Sequence, residues 1–177
     1  MSRAFVRETD FPQLPELPSQ VSPLPPGTKN YLTPAGAARL RAELKRRLDG
    51  ERPRLAAAAP DDSDSKRELQ TLDRRIRYLQ EGLRSAEIVE LPAIPDDVVR
   101  FGATVTVRDR DEESRYRIVG VDEADSARGD ISWLSPLARA LLNARRGEQV
   151  TFKTPAGTTT LEIASVTYDP ASGPSAP

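Results

Sequence analysis

The residues of this chain that could do chemistry are aspartates clustered in one short turn. The turn reads Pro60-Asp61-Asp62-Ser63-Asp64 and separates two stretches with helical periodicity. Carboxylates are hard oxygen ligands, and Mg²⁺ takes one or two of them together with water. The turn could therefore help to hold Mg²⁺ through Asp61, Asp62 and Asp64. The alternative is structural, because turns favour Asp and Ser and because acids near a helix N-terminus interact favourably with its dipole.

The composition excludes several other kinds of site. The 177 residues include no cysteine and no histidine, which removes thiolate metal sites, disulfides, Cys nucleophiles and imidazole bases. The net charge is -1, so only local patches, rather than an overall field, could attract nucleic acid. No apolar run approaches a membrane span, and the first residues lack the apolar core of a signal peptide. We therefore expect a cytoplasmic protein without membrane contact.

The segment after the acidic turn has the spacing of a coiled-coil helix. Its apolar residues are three or four positions apart: Leu69, Leu72, Ile76, Leu79, Leu83 and Ala86. A stripe this narrow needs one partner helix rather than a globular core. We place the N-cap at Ser65, where Glu68 three residues later would complete a capping box, and predict a helix over 65–87.

The segment before the turn predicts the partner helix. Thr33 is a good N-cap, and Pro34 is favoured at the first helical position. A stripe of leucines follows at Leu40, Leu44 and Leu48. Pro53 should kink or divide this helix, and Pro60 should end it. Since the two segments have similar lengths, we predict an antiparallel helical hairpin, a coiled coil, with the acidic turn at its tip.

A β-domain is predicted to follow the hairpin. Segments that alternate apolar and polar residues predict two β-hairpins. They lie at 103–107 with 115–119, and at 149–154 with 158–166. A short helix over 137–143 separates them, giving the order β-β-(β)-α-β-β. The predicted fold class is therefore α+β, with an N-terminal helical hairpin and a C-terminal antiparallel β-domain that has one short helix.

The predicted domain boundaries follow the changes in composition. We assign a disordered proline-rich arm to 1–30, the coiled-coil hairpin to 31–90, the β-domain to 96–168 and a disordered tail to 169–177. The arm has almost no apolar periodicity, although it could also be a docking peptide that becomes ordered on a partner. We expect the core of the β-domain to consist of its larger aromatic residues, Phe101, Tyr116, Trp133 and Phe152.

Three arginines on the second helix form a candidate basic patch, namely Arg74, Arg75 and Arg77. They could lie along a nucleic acid or along an acidic channel wall. The alternative is a solvated coiled-coil surface with ion pairs between residues four positions apart. No ladder of aromatic residues accompanies them, so we do not expect sequence-specific base readout.

A helical hairpin followed by this β-domain resembles the bacterial Gre transcription elongation factors, which stimulate transcript cleavage. The resemblance covers residues 31–168. In the β-domain the matching motifs are Phe101-Gly-Ala-Thr-Val105, Tyr116-Arg-Ile-Val-Gly120, Asp122-Glu-Ala-Asp125, Ser135-Pro-Leu-Ala-Arg-Ala-Leu-Leu142 and Thr154-Pro-Ala-Gly157. In the hairpin, Glu51-Arg-Pro53 and Asp73-Arg-Arg-Ile76 are similar to the GreB-type member.

The resemblance implies how such a protein would work. The β-domain would have an FKBP-like fold and would dock on bacterial RNA polymerase at the mouth of its secondary channel, through Leu134, Ser135 and Pro136. The hairpin would enter the channel, close to nascent RNA or DNA. Its acidic tip would help to hold a second Mg²⁺ near the active site, where the polymerase itself would cut its transcript. The protein would be a monomer, not an enzyme, and would have no cofactor of its own.

The tip departs from the family pattern, which is Gly-Asp-x-x-Glu-Asn-Ala. The clustered aspartates of this chain are similar instead to the tip of the Gre-like inhibitor proteins. The hairpin between the two GreB-like motifs is also short by about a dozen residues, or about 9 Å of reach. We therefore expect a polymerase-binding regulator with weak or no stimulation of cleavage. The alternatives are a true cleavage factor that rescues backtracked polymerase, a prolyl isomerase built on the β-domain, and a free coiled-coil adaptor or homodimer.

Overall fold

The structure, a computed structural model, describes residues 24–58, 62–92, 96–109, 112–154 and 157–168. Most of the predicted arm, over 1–23, and the predicted tail, over 169–177, lie outside the described residues, as does Asp61 of the acidic turn. Within the described ranges, no helix is long and apolar enough to cross a membrane.

The first arm of the hairpin is a helix with one wide turn in it. Helix α1 (Pro34–Arg46) runs into a π-helical turn at Arg47–Glu51 and continues as α2 (Arg52–Ala58). Thr33 is the N-cap, as predicted, and its side chain accepts a hydrogen bond from the Gly36 N–H. Pro53 accounts for the wide turn, because its ring offers no N–H donor and crowds the preceding turn of helix.

The second arm, α3 (Ser63–Ser85), begins at Asp62. The prediction that Ser65 caps this helix is wrong. The carboxylate of Asp62 accepts hydrogen bonds from the N–H groups of Asp64 and Ser65, and so it satisfies donors that otherwise have no partner within the helix. The helix also ends two residues before the predicted position, because the next residues join a strand.

The predicted antiparallel hairpin is confirmed by its contacts. Buried residues of both arms meet in one apolar cluster formed by Leu32, Ala37, Leu40 and Leu79. Farther towards the tip, Leu72 and Ile76 of α3 are buried. Two ion pairs join the arms, with Arg75 Nη2 3.1 Å from Glu43 Oε1 and Arg52 Nε 2.7 Å from Asp73 Oδ1.

A small parallel sheet closes the base of the hairpin. It pairs β1 (Asn30–Leu32) with β2 (Ala86–Ile88). The Asn30 side chain also donates to the Gly82 carbonyl oxygen at 2.9 Å. The prediction that Asn30 belongs to a disordered arm is therefore wrong, and so is the prediction that the second helix continues to residue 87, because residues 86–88 form a strand. Three-residue strands are too short to show an alternating pattern, and their pairing depends on residues far apart in the chain.

The β-domain has the predicted element order. It comprises β3 (Thr104–Asp109), β4 (Glu112–Val119), β5 (Asp130–Ser132), α4 (Pro136–Leu141), β6 (Gln149–Thr154) and β7 (Gly157–Thr167). The sheet order is β5-β4-β3-β7-β6, and the α+β class is confirmed. In contrast to the prediction of an antiparallel sheet, β5 pairs with β4 in parallel. Helix α4 is shorter than predicted, and Asn143 just beyond it has a left-handed φ of 70°.

The core of the β-domain is aliphatic. Its fully buried side chains include Val99, Val105, Ile118, Leu141 and Ile163. The aromatic residues expected to form the core are only half-buried and pack against its margin: Phe101, Tyr116, Trp133 and Phe152. The prediction of an aromatic core is therefore wrong. Large rings are seldom fully buried, whereas small branched side chains fill the space between a sheet and one short helix.

The cap of α3 gives a direct test of where this helix begins. Replacing Asp62 with Ala should lower the thermal midpoint by a few degrees, because two N–H groups of the first turn lose their acceptor. Ser65→Ala is the matched control and should have a smaller effect, since the Ser65 side chain only donates to the Asp62 carboxylate. The opposite ranking, measured by thermal unfolding, would place the cap at Ser65.

Candidate functional site

The structure describes two exposed carboxylates of the acidic tip, those of Asp62 and Asp64, and helix α3 uses that of Asp62 as its cap. The Asp62 carboxylate accepts hydrogen bonds at 2.6 Å from the Ser65 hydroxyl, at 2.9 Å from the Ser65 N–H and at 3.2 Å from the Asp64 N–H. These bonds, the hydroxyl first, hold the pKa of Asp62 below its ordinary value. The side chain of Asp64 is 84% exposed, and Arg67 lies 3.5 Å from it. Asp64 is therefore the described tip carboxylate best placed to meet a partner.

A network of ion pairs stiffens the hairpin behind the tip. Glu43 of α1 forms ion pairs with Arg75 of α3 and with Arg47 of the wide turn. Its Oε1 atom lies 3.1 Å from Arg75 Nη2 and 3.0 Å from Arg47 Nε. Arg47 also lies 3.1 Å from Glu51. Burial raises the pKa of Glu43, but the hydrogen bonds from Arg75 and Arg47 outweigh it, so the pKa lies below its ordinary value. Glu43 is thus an ionised bridge between the arms.

The structure separates the three arginines of the predicted basic patch. Arg74 and Arg77 are exposed on α3. Arg75 instead turns towards α1 to pair with Glu43, and its guanidinium carbon lies 5.3 Å from the centre of the Tyr78 ring. The surface available to a nucleic acid or to a channel wall is therefore centred on Arg74 and Arg77.

The predicted docking residues lie at the start of α4. The Ser135 hydroxyl oxygen accepts a hydrogen bond from the Ala138 N–H at 3.1 Å, and Pro136 occupies the first turn. Pro136 is exposed, whereas Leu134 is half-buried. Ala138 and Leu141 anchor the helix in the core. A short, firmly anchored helix thus presents these residues on the surface, and the role of Ser135 as a cap is compatible with a role in docking.

The structure also reveals a connection between the hairpin and the β-domain that sequence reasoning missed. Glu123 is only 4% exposed, and its carboxylate accepts hydrogen bonds from the Thr33 N–H at 2.9 Å, the Gly120 N–H at 3.0 Å and the Thr33 hydroxyl. Close by, the Tyr78 hydroxyl donates to Asp122. Burial, and then the bond to Asp122, raise the pKa of Tyr78. We call this set, Thr33, Tyr78, Gly120, Asp122 and Glu123, the joint.

Comparison with known proteins identifies the family. A family described as the C-terminal domain of the GreA/GreB transcription elongation factors matches residues 94–168. Transcription elongation factor GreB of Neisseria meningitidis serogroup B (strain MC58) is 44% identical over 156 residues, covering 80% of this chain and 95% of the relative. This chain belongs to the GreA/GreB family. GreA of Francisella tularensis subsp. novicida is 40% identical over 152 residues, covering 77% and 95%.

A solved structure also matches this Gre-family chain. It is the transcription elongation factor GreA/GreB from Nitrosomonas europaea, which is 26% identical. The match covers 79% of this chain and 100% of the other, with a TM-score of 0.39.

The comparisons do not locate the tip of the hairpin, and the prediction that the hairpin of this chain is shortened relative to the Gre pattern stays a prediction.

The ion pairs of Glu43 allow a test of hairpin stability. Replacing Glu43 with Gln should lower the free energy of unfolding by about 1 kcal/mol at neutral pH. Because the pKa of Glu43 is lowered on folding, the wild-type advantage is complete above the ordinary carboxylate pKa of about 4 and is lost as the pH falls through the lowered value. Urea unfolding at several pH values measures the difference. A difference that persists in acid would show that shape rather than charge is responsible.

Proposed function

We propose that this protein binds bacterial RNA polymerase through its β-domain and inserts its hairpin into the secondary channel. The observation that carries the proposal is the family match, which includes the whole described β-domain and extends over 95% of a GreB relative. The surface at the start of α4 supports the docking role, because it is exposed at Pro136 and anchored at Ala138 and Leu141. Anchored surfaces bind with little loss of conformational entropy.

The hairpin suits a narrow channel because it is slender and stiff. The 23 residues of α3 extend about 34 Å at 1.5 Å per residue. Ion pairs at Glu43–Arg75 and Arg52–Asp73 hold the two arms side by side. Arg74 and Arg77, which are exposed on the same helix, are available to contact nascent RNA, DNA or an acidic channel wall.

We further propose that the protein modulates transcription with weak or no stimulation of transcript cleavage. A Mg²⁺ shared with the polymerase would have to be held by Asp61, Asp62 and Asp64. Their oxygen atoms are the right chemistry for Mg²⁺, but the carboxylate of Asp62 already accepts three hydrogen bonds from the first turn of α3. The donor set therefore fits the ion only in part.

The predicted shortness of the hairpin also disfavours strong stimulation of cleavage. A hairpin shortened by about a dozen residues loses about 9 Å. Metal–oxygen bonds are about 2 Å long, and a charge is screened over about 8 Å at physiological salt. A tip retracted by that much would not ligate an ion in the active site, although its charge could still act on nearby basic groups.

A true cleavage factor is the second candidate function, and the exposed carboxylate of Asp64 favours it. In either case the polymerase itself would cut the RNA, and this protein would not be an enzyme. A prolyl isomerase is disfavoured, because such a site needs an open pocket lined by aromatic residues. Here Phe101 and Trp133 pack around Tyr31, with ring centres 5.8 and 5.1 Å from the Tyr31 ring.

Docking can be tested at the start of α4. Pro136→Asp should weaken binding to core RNA polymerase by at least about tenfold, because it places an unpaired charge in the proposed interface. The β-domain should still fold, since Pro136 is exposed. Glu113→Ala is the matched control, because Glu113 is an exposed residue of β4 and not part of the proposed surface. Unchanged binding of Pro136→Asp in a sedimentation titration would contradict the docking assignment.

Cleavage can be tested with stalled elongation complexes and saturating protein. We expect little RNA cleavage above the rate of the polymerase alone. The control variant replaces Asp61, Asp62 and Asp64 by Asn, which removes the charges, while the amide oxygen introduced by Asp62→Asn can still cap α3. Strong cleavage by the wild type that disappears in the triple variant would overturn the short-reach argument and favour the cleavage-factor alternative.

A further inference from the structure

The joint connects the hairpin to the β-domain through a buried carboxylate. Two of the hydrogen bonds to Glu123 come from Thr33, the residue that caps the first helix of the hairpin. A third comes from Gly120 at the end of β4. A buried carboxylate is strongly unfavourable unless it is hydrogen-bonded. Glu123 therefore favours the one arrangement in which the hairpin and the β-domain supply their donors together.

Two glycines leave room for this arrangement. At Gly36 in α1, an added Cβ atom would lie 1.8 Å from Glu123 Oε1. At Gly120, it would lie 2.3 Å from the Tyr31 carbonyl oxygen. Neither glycine has a positive φ, so what requires glycine at these positions is the close approach and not the backbone conformation. The surfaces on the two sides of the joint are therefore closely complementary in shape.

Other contacts fix the direction of the hairpin and not only its position. Tyr78 of α3 donates to Asp122, and Arg39 of α1 donates to the Glu123 carbonyl oxygen at 3.4 Å. Tyr31 of β1 contacts Trp133 of the β-domain edge to ring, with ring centres 5.1 Å apart. These contacts involve three different elements of the hairpin. Rotation of the hairpin about any one of them would break the others.

We propose that Glu123 is a positioning residue that sets the direction of the hairpin relative to the docking surface at α4. This inference rests on the proposed function, in which the β-domain docks and the hairpin acts. Loss of the Glu123 carboxylate would leave docking intact but would let the hairpin adopt several directions. The affinity for polymerase would then change little, whereas the effect of bound protein on transcription would fall.

The joint can be measured first in the free protein. The chain has no cysteine, so a pair of spin labels can be attached at Gln70→Cys on α3 and Ser114→Cys on β4, which are both exposed positions. The distribution of label distances should be narrow in the otherwise unchanged protein. It should broaden in Glu123→Ala and stay narrow in Glu123→Gln, whose amide oxygen can still accept from the Thr33 and Gly120 N–H groups. Glu113→Ala is the control at an exposed carboxylate.

The second measurement is the effect on elongation as the protein is titrated onto transcribing polymerase. In Glu123→Ala, the maximal change in elongation at saturating protein should fall about tenfold, while the half-saturating concentration changes by less than about threefold. Glu123→Gln should recover most of the effect. A role in stability alone would not separate these two quantities or give this recovery.

Several outcomes would overturn the inference. It fails if Glu123→Ala keeps a narrow distance distribution, or if its maximal effect equals that of the wild type. If Glu123→Ala does not fold, Thr33→Ala provides the same two measurements, because it removes the hydroxyl that donates to the Glu123 carboxylate, and Thr33→Ser, which keeps that hydroxyl, is its control. A narrow distance distribution and an unchanged maximal effect in Thr33→Ala would again contradict the proposal. A wild-type protein that does not bind polymerase would overturn the proposed function instead, and the distances in the free protein would still decide whether Glu123 fixes the joint.

Discussion

In our proposal, the direction of the hairpin depends on the hydrogen bonds of the buried Glu123 carboxylate. Glu123 accepts from two segments that are far apart in the chain, at Thr33 and Gly120. The free energy of burying a charge makes this contact sensitive to small displacements, because each lost donor leaves part of the carboxylate unsatisfied. A hairpin that enters a channel, as we propose, needs a defined direction. The joint would provide one through hydrogen bonds and through the packing of Tyr31 against Trp133.

Along the hairpin, ion pairs between the arms flank a narrow seam of buried apolar residues. Near the base, Leu40 and Leu79 are buried in an apolar cluster. In the middle, Glu43 holds Arg47 and Arg75. At the tip, the helix begins on the carboxylate of Asp62. A hairpin built in this way can project from the body of the protein because its apolar residues, such as Leu72 and Ile76, are buried between its own two arms. The cap also bears on function, because the Asp62 carboxylate that caps α3 is less available to a metal ion.

Local sequence patterns predicted the helices and most of the strands, but they could not predict contacts between residues far apart in the chain. The heptad spacing at Leu72, Ile76 and Leu79 and the alternation of the β-strands are local, and both predicted the right elements. The cap was misplaced because Asp62 and Ser65 both suit an N-cap, and only the geometry distinguishes them. The short strand at Asn30 and the role of Glu123 depend on partners more than fifty residues away. Only Gly36 and Gly120 could have signalled this contact in the sequence. At both positions glycine is required because another part of the chain approaches closely, and not because of a turn.

We propose that a hairpin directed by the joint enters the secondary channel of RNA polymerase and stops short of its active site. A cryo-electron microscopy structure of the protein bound to a stalled elongation complex would show whether the hairpin does so. The quantity to measure is the distance from the carboxylates of Asp62 and Asp64 to the catalytic Mg²⁺. We expect a hairpin inside the channel, with both carboxylates several ångströms beyond a bonding distance of about 2 Å. A tip carboxylate bound to the ion, or a hairpin that lies outside the channel, would contradict this proposal.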